Sequence, residues 1–338
     1  MRIGDRQFTV IGENIHTTRV VLRKGKRVVA DPQGGEALRF TDDQGRARLL
    51  PIPEKIRDTQ DYQEGRVKHL KIALQAAMAG TEEGLEYLRF MVRRQEEAGA
   101  DFLDLNVDEV SLRFEEQKQA MLWLVRTVQG MSALPLAVDS SRVETLRAGL
   151  EAMGDRPCLL NSASLERLEA LDLAREYRAQ VVVSAAGEKG MPEDTAGRLE
   201  NAARIVELAL AQGFAPAELY IDPLVFPISV DTQFGEHCLE AIRQLRARYG
   251  PEIRITGGFS NVSFGLPCRQ VINEVFLLLA MEAGADSGIV DPVSSPLGRV
   301  AALDRSARPC QLAEEMLLGR DVNCKSFLRA YRKGELEV

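Results

Sequence analysis

Ala98-Gly-Ala-Asp-Phe-Leu-Asp-Leu-Asn-Val107 decides the fold. A charged stretch of helical spacing runs into Gly99, and an alternating apolar run opens at Phe102. Glycine just past a periodic segment stops a helix, because it takes the left-handed conformation without a Cβ clash. The same punctuation returns at Gln212-Gly213-Phe214 and Ala283-Gly284-Ala285-Asp286. Working outward, short β-branched runs predict strands near 8–13, 101–106, 134–139, 157–161, 180–185, 218–222, 253–259 and 286–290. Helical patterns lie near 83–98, 115–129, 142–153, 165–177, 195–212, 236–248, 269–283 and 309–319. Strand–helix pairs in this order imply a parallel sheet, and their even number favours closure into a (β/α)8 TIM barrel. The rival, an open doubly wound sheet, would want a glycine-rich phosphate turn after its first strand. Ile11-Gly-Glu-Asn-Ile-His16 has no GxGxxG.

The 338 residues, 45% apolar, can bury one large core, and a single barrel domain over 1–338 is expected. Residues 19–65 do not fit the regular pattern. This stretch is glycine-rich and charged, and too long for an ordinary βα loop. Lys26-Arg-Val-Val29 and Ala47-Arg-Leu-Leu-Pro51 read as strands of a small hairpin. Following the first strand, the insertion is expected above the C-terminal face, as a lid, a partner-docking element or a plain surface embellishment.

The charge of −7, from 43 basic and 50 acidic residues, with no dominant Lys/Arg block, argues against nucleic acid as a partner. Apolar runs such as Val181-Val-Val-Ser-Ala-Ala186 fall far short of the roughly 20 residues that span a bilayer. The N-terminus lacks a signal-peptide core, so no membrane partner and a cytoplasmic location are expected. Cysteines 158, 238, 268, 310 and 324 make no CxxC, and His16, His69 and His237 are scattered, so neither disulfides nor a metal site is expected.

In such barrels the site forms at the C-terminal strand ends. This chain puts Glu13 and Asn14 there from strand 1, Asp104 and Asn106 from strand 2, and Asp139 from strand 3. Asn161, Asp222 and Asn261 follow from strands 4, 6 and 7, with Arg269 opening the next helix. One such residue alone usually caps a helix. Carboxylates accept paired N–H donors and an asparagine offers one donor and one acceptor, so the set suits a flat heterocycle with an amidine-like edge. No Ser-His-Asp order, Cys-His pair or Walker loop is present.

Seven segments in order, IGENIH (11–16), AGADFLDLNV (98–107), LPLAVDSS (134–141), LLNSAS (159–164), LYIDPLVFP (219–227), GGFSNVSFGLPCR (257–269) and INEVFLLLAMEAGADSGIVDP (272–292), resemble the pterin-binding methyltransferases. These comprise the 5-methyltetrahydrofolate–corrinoid methyltransferases and the folate-binding barrel of cobalamin-dependent methionine synthase. The resemblance implies a pterin-binding (β/α)8 barrel of dihydropteroate-synthase-like type. It also implies tetrahydrofolate or 5-methyltetrahydrofolate as substrate, a corrinoid (cobalamin) on a partner protein, and a homodimer. By the same resemblance, Asp222 is the carboxylate gripping the pterin amine and adjacent ring N–H, with Asp139 and Asn161 on the remaining ring nitrogens. Asn261 matches the mobile asparagine near N5, the atom carrying the methyl. Arg269, Asn106 and Glu13 match pterin-pocket and first-strand positions.

The chain departs from the usual GERIN of the first strand, with Asn14 for Arg and His16 for Asn. Phe264 follows the methionine-synthase-like branch, and the compact acetogen form has no 19–65 insertion. The implied reaction moves a methyl group between N5 of tetrahydrofolate and corrinoid cobalt, in either direction, with a demethylase system as one setting. With no DxHxxG motif in the chain, the corrinoid is expected on a separate protein. Two alternatives stay open. One is a folate-binding or regulatory subunit without turnover. The other is dihydropteroate synthase, whose strand-7 lysine is replaced here by Gly257-Gly258-Phe259.

Overall fold

The computed structural model describes residues 2–3 and 6–336. Its principal strands are β1 (Thr9–His16), β2 (Phe102–Asn106), β3 (Leu136–Asp139), β4 (Cys158–Ala163), β5 (Gln180–Ser184), β6 (Leu219–Asp222), β7 (Arg254–Ile255) and β8 (Ser287–Val290). They form one 8-stranded sheet in the order β7-β6-β5-β4-β3-β2-β1-β8, and a parallel bridge from Gly258 to Ile289 joins its two ends. Helices α1 (Glu82–Glu97), α2 (Phe114–Gln129), α3 (Val143–Met153), α4 (Glu169–Glu176), α5 (Thr195–Ala211), α6 (Gln233–Tyr249), α7 (Arg269–Ala283) and α8 (Arg308–Leu317) follow the strands in turn. The fold is the expected (β/α)8 barrel. Val181, Val182 and Val183 are all fully buried, the continuous apolar run of a parallel strand covered on both faces. No helix among the described residues is long and apolar enough to cross a membrane.

By contacts the chain divides into two compact units, Gly12–Leu159 and Met1–Ile11 with Leu160–Val338. In the first, Gly12 on β1 lies against Gln95 of α1. A Cβ there would sit 2.4 Å from Gln95 Oε1, which itself accepts the Asn14 N–H at 3.0 Å. That buried glutamine ties β1 to α1, so glycine is required.

The insertion is a three-stranded antiparallel sheet, Val28–Ala30, Glu36–Thr41 and Ala47–Pro51, rather than a two-stranded hairpin. Its middle strand alternates, with Leu38 and Phe40 buried and Arg39 and Thr41 exposed. The sheet packs against α1. Phe40 meets Tyr87 edge-on at 5.1 Å, Arg48 pairs with Glu86 at 2.8 Å, and Arg93 Nη2 donates to the Thr41 carbonyl at 3.0 Å. The Arg27 guanidinium also donates to the Tyr87 hydroxyl, which is hydrogen-bonded to His69 Nδ1 at 3.0 Å. Burial holds His69 well below its usual pKa and pushes Tyr87 up to about 12, so both are neutral polar groups of a packed seam. Phe40→Ala is expected to lower stability by about 3–5 kcal/mol, read by calorimetric melting. An unchanged melting temperature would show that the insertion contributes nothing to the fold.

In the second unit Arg246 of α6 knits the bottoms of β7 and β8. Its Nη2 pairs with Asp286 at 2.9 Å and its Nη1 donates to the Ile253 carbonyl at 2.9 Å. Asp286 Oδ1 in turn accepts the Ile255 N–H at 2.8 Å.

Two expected boundaries move, and one helix is added. Strand 7 was expected over 253–259, but regular pairing ends at Ile255, and Phe259–Ser263 turns into a 3-10 helix instead. Helix 4 begins at Glu169 rather than 165, because Ser164 and Arg167 pair in an antiparallel bridge first. A helix at His69–Met78 was not anticipated, although Leu70, Ile72, Ala73, Leu74 and Ala77 form its buried side.

Candidate functional site

In the unit Gly12–Leu159, register builds the first polar cluster. Asp139 of β3 lies opposite Asn106 of β2, and Ala137 lies opposite Asp104. Paired residues of neighbouring parallel strands share a face, so Asn106 Nδ2 donates to Asp139 Oδ2 at 2.9 Å. Asn106 Oδ1 accepts the Asp108 N–H at 3.0 Å, and Asp108 accepts from Ser140 Oγ at 2.5 Å and Ser141 N at 2.8 Å. The loops after β2 and β3 are thereby locked together. Asp104, fully buried, faces His16 Nε2 at 3.1 Å. Glu13 accepts from Arg19 Nη1 at 2.8 Å.

Burial, followed by the charge of Asp104, pushes Asp139 up to about 7, against the opposing pull of His16 and the Asn106 hydrogen bond. Burial pulls His16 down, but its hydrogen bond to Asp104 and the charges of Asp104, Asp139 and Glu13 outweigh it and leave the imidazole raised. The donor atoms of His16, Asp104 and Asp139 all lie within 4.8 Å of one another, close enough to hold a metal ion. His16 and Asp104 already satisfy each other as a pair.

A carboxyl that prefers its proton is a burden on the fold. Between the ordinary carboxylate range and about pH 7 the folded state binds the extra proton, so Asp139 lowers stability as pH rises through that window. Asp139→Asn is expected to stabilise the protein at pH 7 by on the order of 1 kcal/mol or more, with the gain vanishing near pH 4. Denaturant titration at the two pH values reads it; equal gains at both would refute the electrostatic cause.

In the unit containing Leu160–Val338, Asp222 ends β6 and is half-buried. Its Oδ1 accepts the Leu224 N–H at 2.8 Å, with Leu224 in the left-handed region at φ 69°. Burial pushes the Asp222 carboxyl up to about 6, opposed by the Leu224 N–H and the charge of Arg198. Gly257 and Gly258, just past β7, leave room for this edge. A Cβ on Gly257 would lie 3.5 Å from Asp222 Oδ1, and one on Gly258 would lie 2.9 Å from Asn261 Nδ2. Asn261 sits in the 3-10 turn, half-buried. Arg269 holds that turn, donating from Nη2 to the Ser260 carbonyl at 2.8 Å and from Nε to Ser263 Oγ at 2.9 Å. Its guanidinium covers the ring of half-exposed Phe264 at 4.4 Å. Asn161 lies within β4, half-buried.

The simplest alternative, helix capping, fails for these side chains. The residues before α2, α3, α4, α6 and α7 are Arg113, Arg142, Leu168, Thr232 and Cys268, and none makes a side-chain cap. Asp139, Asn161, Asp222 and Asn261 therefore serve something other than the next helix. Asp104, expected at the site from strand 2, belongs to its electrostatics through His16. Arg198, a wholly buried arginine on α5, had no sequence signal.

The family described as pterin binding enzyme matches residues 62–291. A protein of Eubacterium limosum named methylcorrinoid:tetrahydrofolate methyltransferase is 29% identical over 255 residues, covering 74% of this chain and 89% of that protein. The methionine synthase of Mycobacterium leprae (strain TN) is 33% identical over 233 residues, 64% of this chain, which spans only 19% of that protein. Among solved structures, the dihydropteroate synthase from Xanthomonas albilineans in complex with 7,8-dihydropteroate superimposes with a TM-score of 0.51 at 24% identity, over 66% of this chain and 85% of that one. A Yersinia pestis dihydropteroate synthase with a pterine-sulfa conjugate gives 0.52 at 20%, over 66% and 90%. At those identities the likeness concerns the barrel alone. Over more than half its length, this chain belongs to the pterin binding enzyme family.

Proposed function

We propose that the protein is a methyltransferase that moves a methyl group between N5 of tetrahydrofolate and the cobalt of a corrinoid carried on a partner protein. The observation that carries this is the set of strand-end carboxylates and amides with raised acid pKa values and no capping duty. Such groups burden the fold and are relieved by a ligand offering N–H donors. Asp222, with the Leu224 N–H on one oxygen, accepts the exocyclic amine and adjacent ring N–H. Asp139, steadied by Asn106, and Asn161 take the remaining ring nitrogens. Arg269 keeps the Ser260–Ser263 turn, and with it Asn261, in place, and Glu13 with Arg19 completes the first-strand motif.

Chemistry at N5 then follows. When the methyl leaves for cobalt(I), the N5–C electron pair stays on nitrogen, the cobalt electrons form the new bond, and N5 must take up a proton. An amide is no strong acid, but a fixed one stabilises the protonated amine in the transition state, an oriented-dipole effect. Asn261 has that role. In the reverse direction the N5 lone pair attacks the methyl, the cobalt–carbon pair returns to cobalt, and the N5 proton passes to solvent.

The name of the Eubacterium limosum relative supports folate–corrinoid chemistry over the dihydropteroate synthase reaction, for which Gly257-Gly258-Phe259 offers no lysine. The folate-side step of a demethylase system is the setting we favour. The 19–65 insertion, anchored to α1, then serves as a docking element. The test is anaerobic incubation with methylcobalamin and tetrahydrofolate, measuring 5-methyltetrahydrofolate. Product formation supports the assignment. No transfer in either direction, even with corrinoid proteins of the same source, overturns it, and tight folate binding without transfer would identify a regulatory subunit.

A further inference from the structure

Arg198 lies in the first turn of α5 with no solvent exposure, yet among the described residues it makes no ion pair. Its hydrogen bonds go to backbone. Nη1 donates to the Asp194 carbonyl at 2.9 Å, and Nε reaches the Leu224 carbonyl at 3.4 Å. Nη2 has no partner among the described residues. The guanidinium is stacked 4.8 Å from the centre of the Phe226 ring. A buried, incompletely satisfied cation is costly, so an arginine kept this way needs a use. Leu224 supplies it. The residue is left-handed, an uncommon state for a branched side chain, and its N–H holds Asp222 Oδ1 while its carbonyl faces Arg198.

We propose that Arg198 is the positioning residue of the pterin site, fixing the Asp222–Leu224 turn and supplying the buried positive charge that keeps Asp222 able to accept N–H donors. This rests on the reading of Asp222 as the pterin carboxylate. The charged groups around the pair are few. Arg198 feels Asp194 from its own helix start, Asp222 from β6 and Cys238 from α6. Burial pushes the Cys238 thiol up to about 12, so it brings no charge. Desolvation lowers Arg198 from its usual value, and Arg198 in turn is the charge that opposes the rise of Asp222.

Two variants separate geometry from charge. Arg198→Gln keeps a donor for the Leu224 carbonyl and removes the charge; Arg198→Lys keeps the charge and loses the fork. The readout is 5-methyltetrahydrofolate binding by anaerobic calorimetry between about pH 5 and pH 9. In the unsubstituted protein, affinity should fall as pH drops through about 6. The contribution of Asp139 to the same acid limb is common to every variant, so only movement between variants counts. Arg198→Gln should move the limb up by about one pH unit, about tenfold weaker binding at a fixed acid pH. Arg198→Lys should leave the limb in place and weaken binding evenly, by about threefold. A folded Arg198→Gln protein with an unmoved limb overturns the proposal. Carbon-13 titration of the Asp222 carboxyl reads the same shift without ligand. A protein that binds no folate but shows the carboxyl shift therefore defeats the pterin reading alone, and an unmoved carboxyl defeats the role of Arg198.

Discussion

Asp222→Ala is expected to remove tetrahydrofolate binding while leaving the barrel intact. A carboxylate that accepts two N–H donors from one ligand edge loses both together, each worth about 1.5–3 kcal/mol when charge-assisted. The affinity loss is therefore about 10²- to 10⁴-fold. The fold has little to lose. Asp222 is pushed up to about 6, so the charge it still carries at neutral pH costs the folded state relative to the unfolded chain. Among the described residues its side chain accepts one hydrogen bond, from the Leu224 N–H, worth about 1 kcal/mol, beside its attraction to the Arg198 charge. Calorimetric binding and thermal melting on one sample decide the matter. Lost binding with a melting temperature near that of the unsubstituted protein is the expected pair. Retained affinity would remove Asp222 from the site.

Asn261→Ala should separate turnover from binding. The side chain adjoins Gly258 in a turn held by Arg269 through Ser260 and Ser263, so the backbone course does not depend on the amide. In the ground state the amide contributes one neutral hydrogen bond, about 1 kcal/mol, and affinity should change less than tenfold. In the transition state it faces the proton that N5 takes up as the methyl leaves, where a preorganised dipole is worth about 10²–10³ in rate. Single-turnover methyl transfer from 5-methyltetrahydrofolate against its equilibrium dissociation constant reads both terms. Equal losses in the two would make Asn261 a binding group only.

The barrel was legible because helix stops such as Gly99 and Gly284 and the apolar runs of β2 and β5 carry local signals. The strand ends carrying Asp139, Asn161 and Asp222 fell within a residue or two of their expected places. What was hidden depends on three dimensions. Strand 7 shortens because the chain after Ile255 leaves the ladder for the 3-10 turn of Asn261, a step with no fixed residue signature. The middle strand of the insertion, Glu36–Thr41, alternates as a half-buried strand should, yet it stands among glycines and charges that dilute the pattern. Arg198 was invisible for another reason. On a helix that otherwise turns charges outward, nothing local says that one arginine points in. The pairing of His16 with Asp104 likewise needs the lateral neighbourhood of strands far apart in sequence.

The central claim is that these strand-end acids and amides hold a reduced pterin. Crystals soaked anaerobically with 5-methyltetrahydrofolate test it most directly. The pterin amine and adjacent ring N–H should lie within hydrogen-bond distance of the Asp222 carboxylate, with N5 beside the Asn261 amide. A pterin ring bound elsewhere on the protein, with Asp222 contacting none of it, would contradict the account.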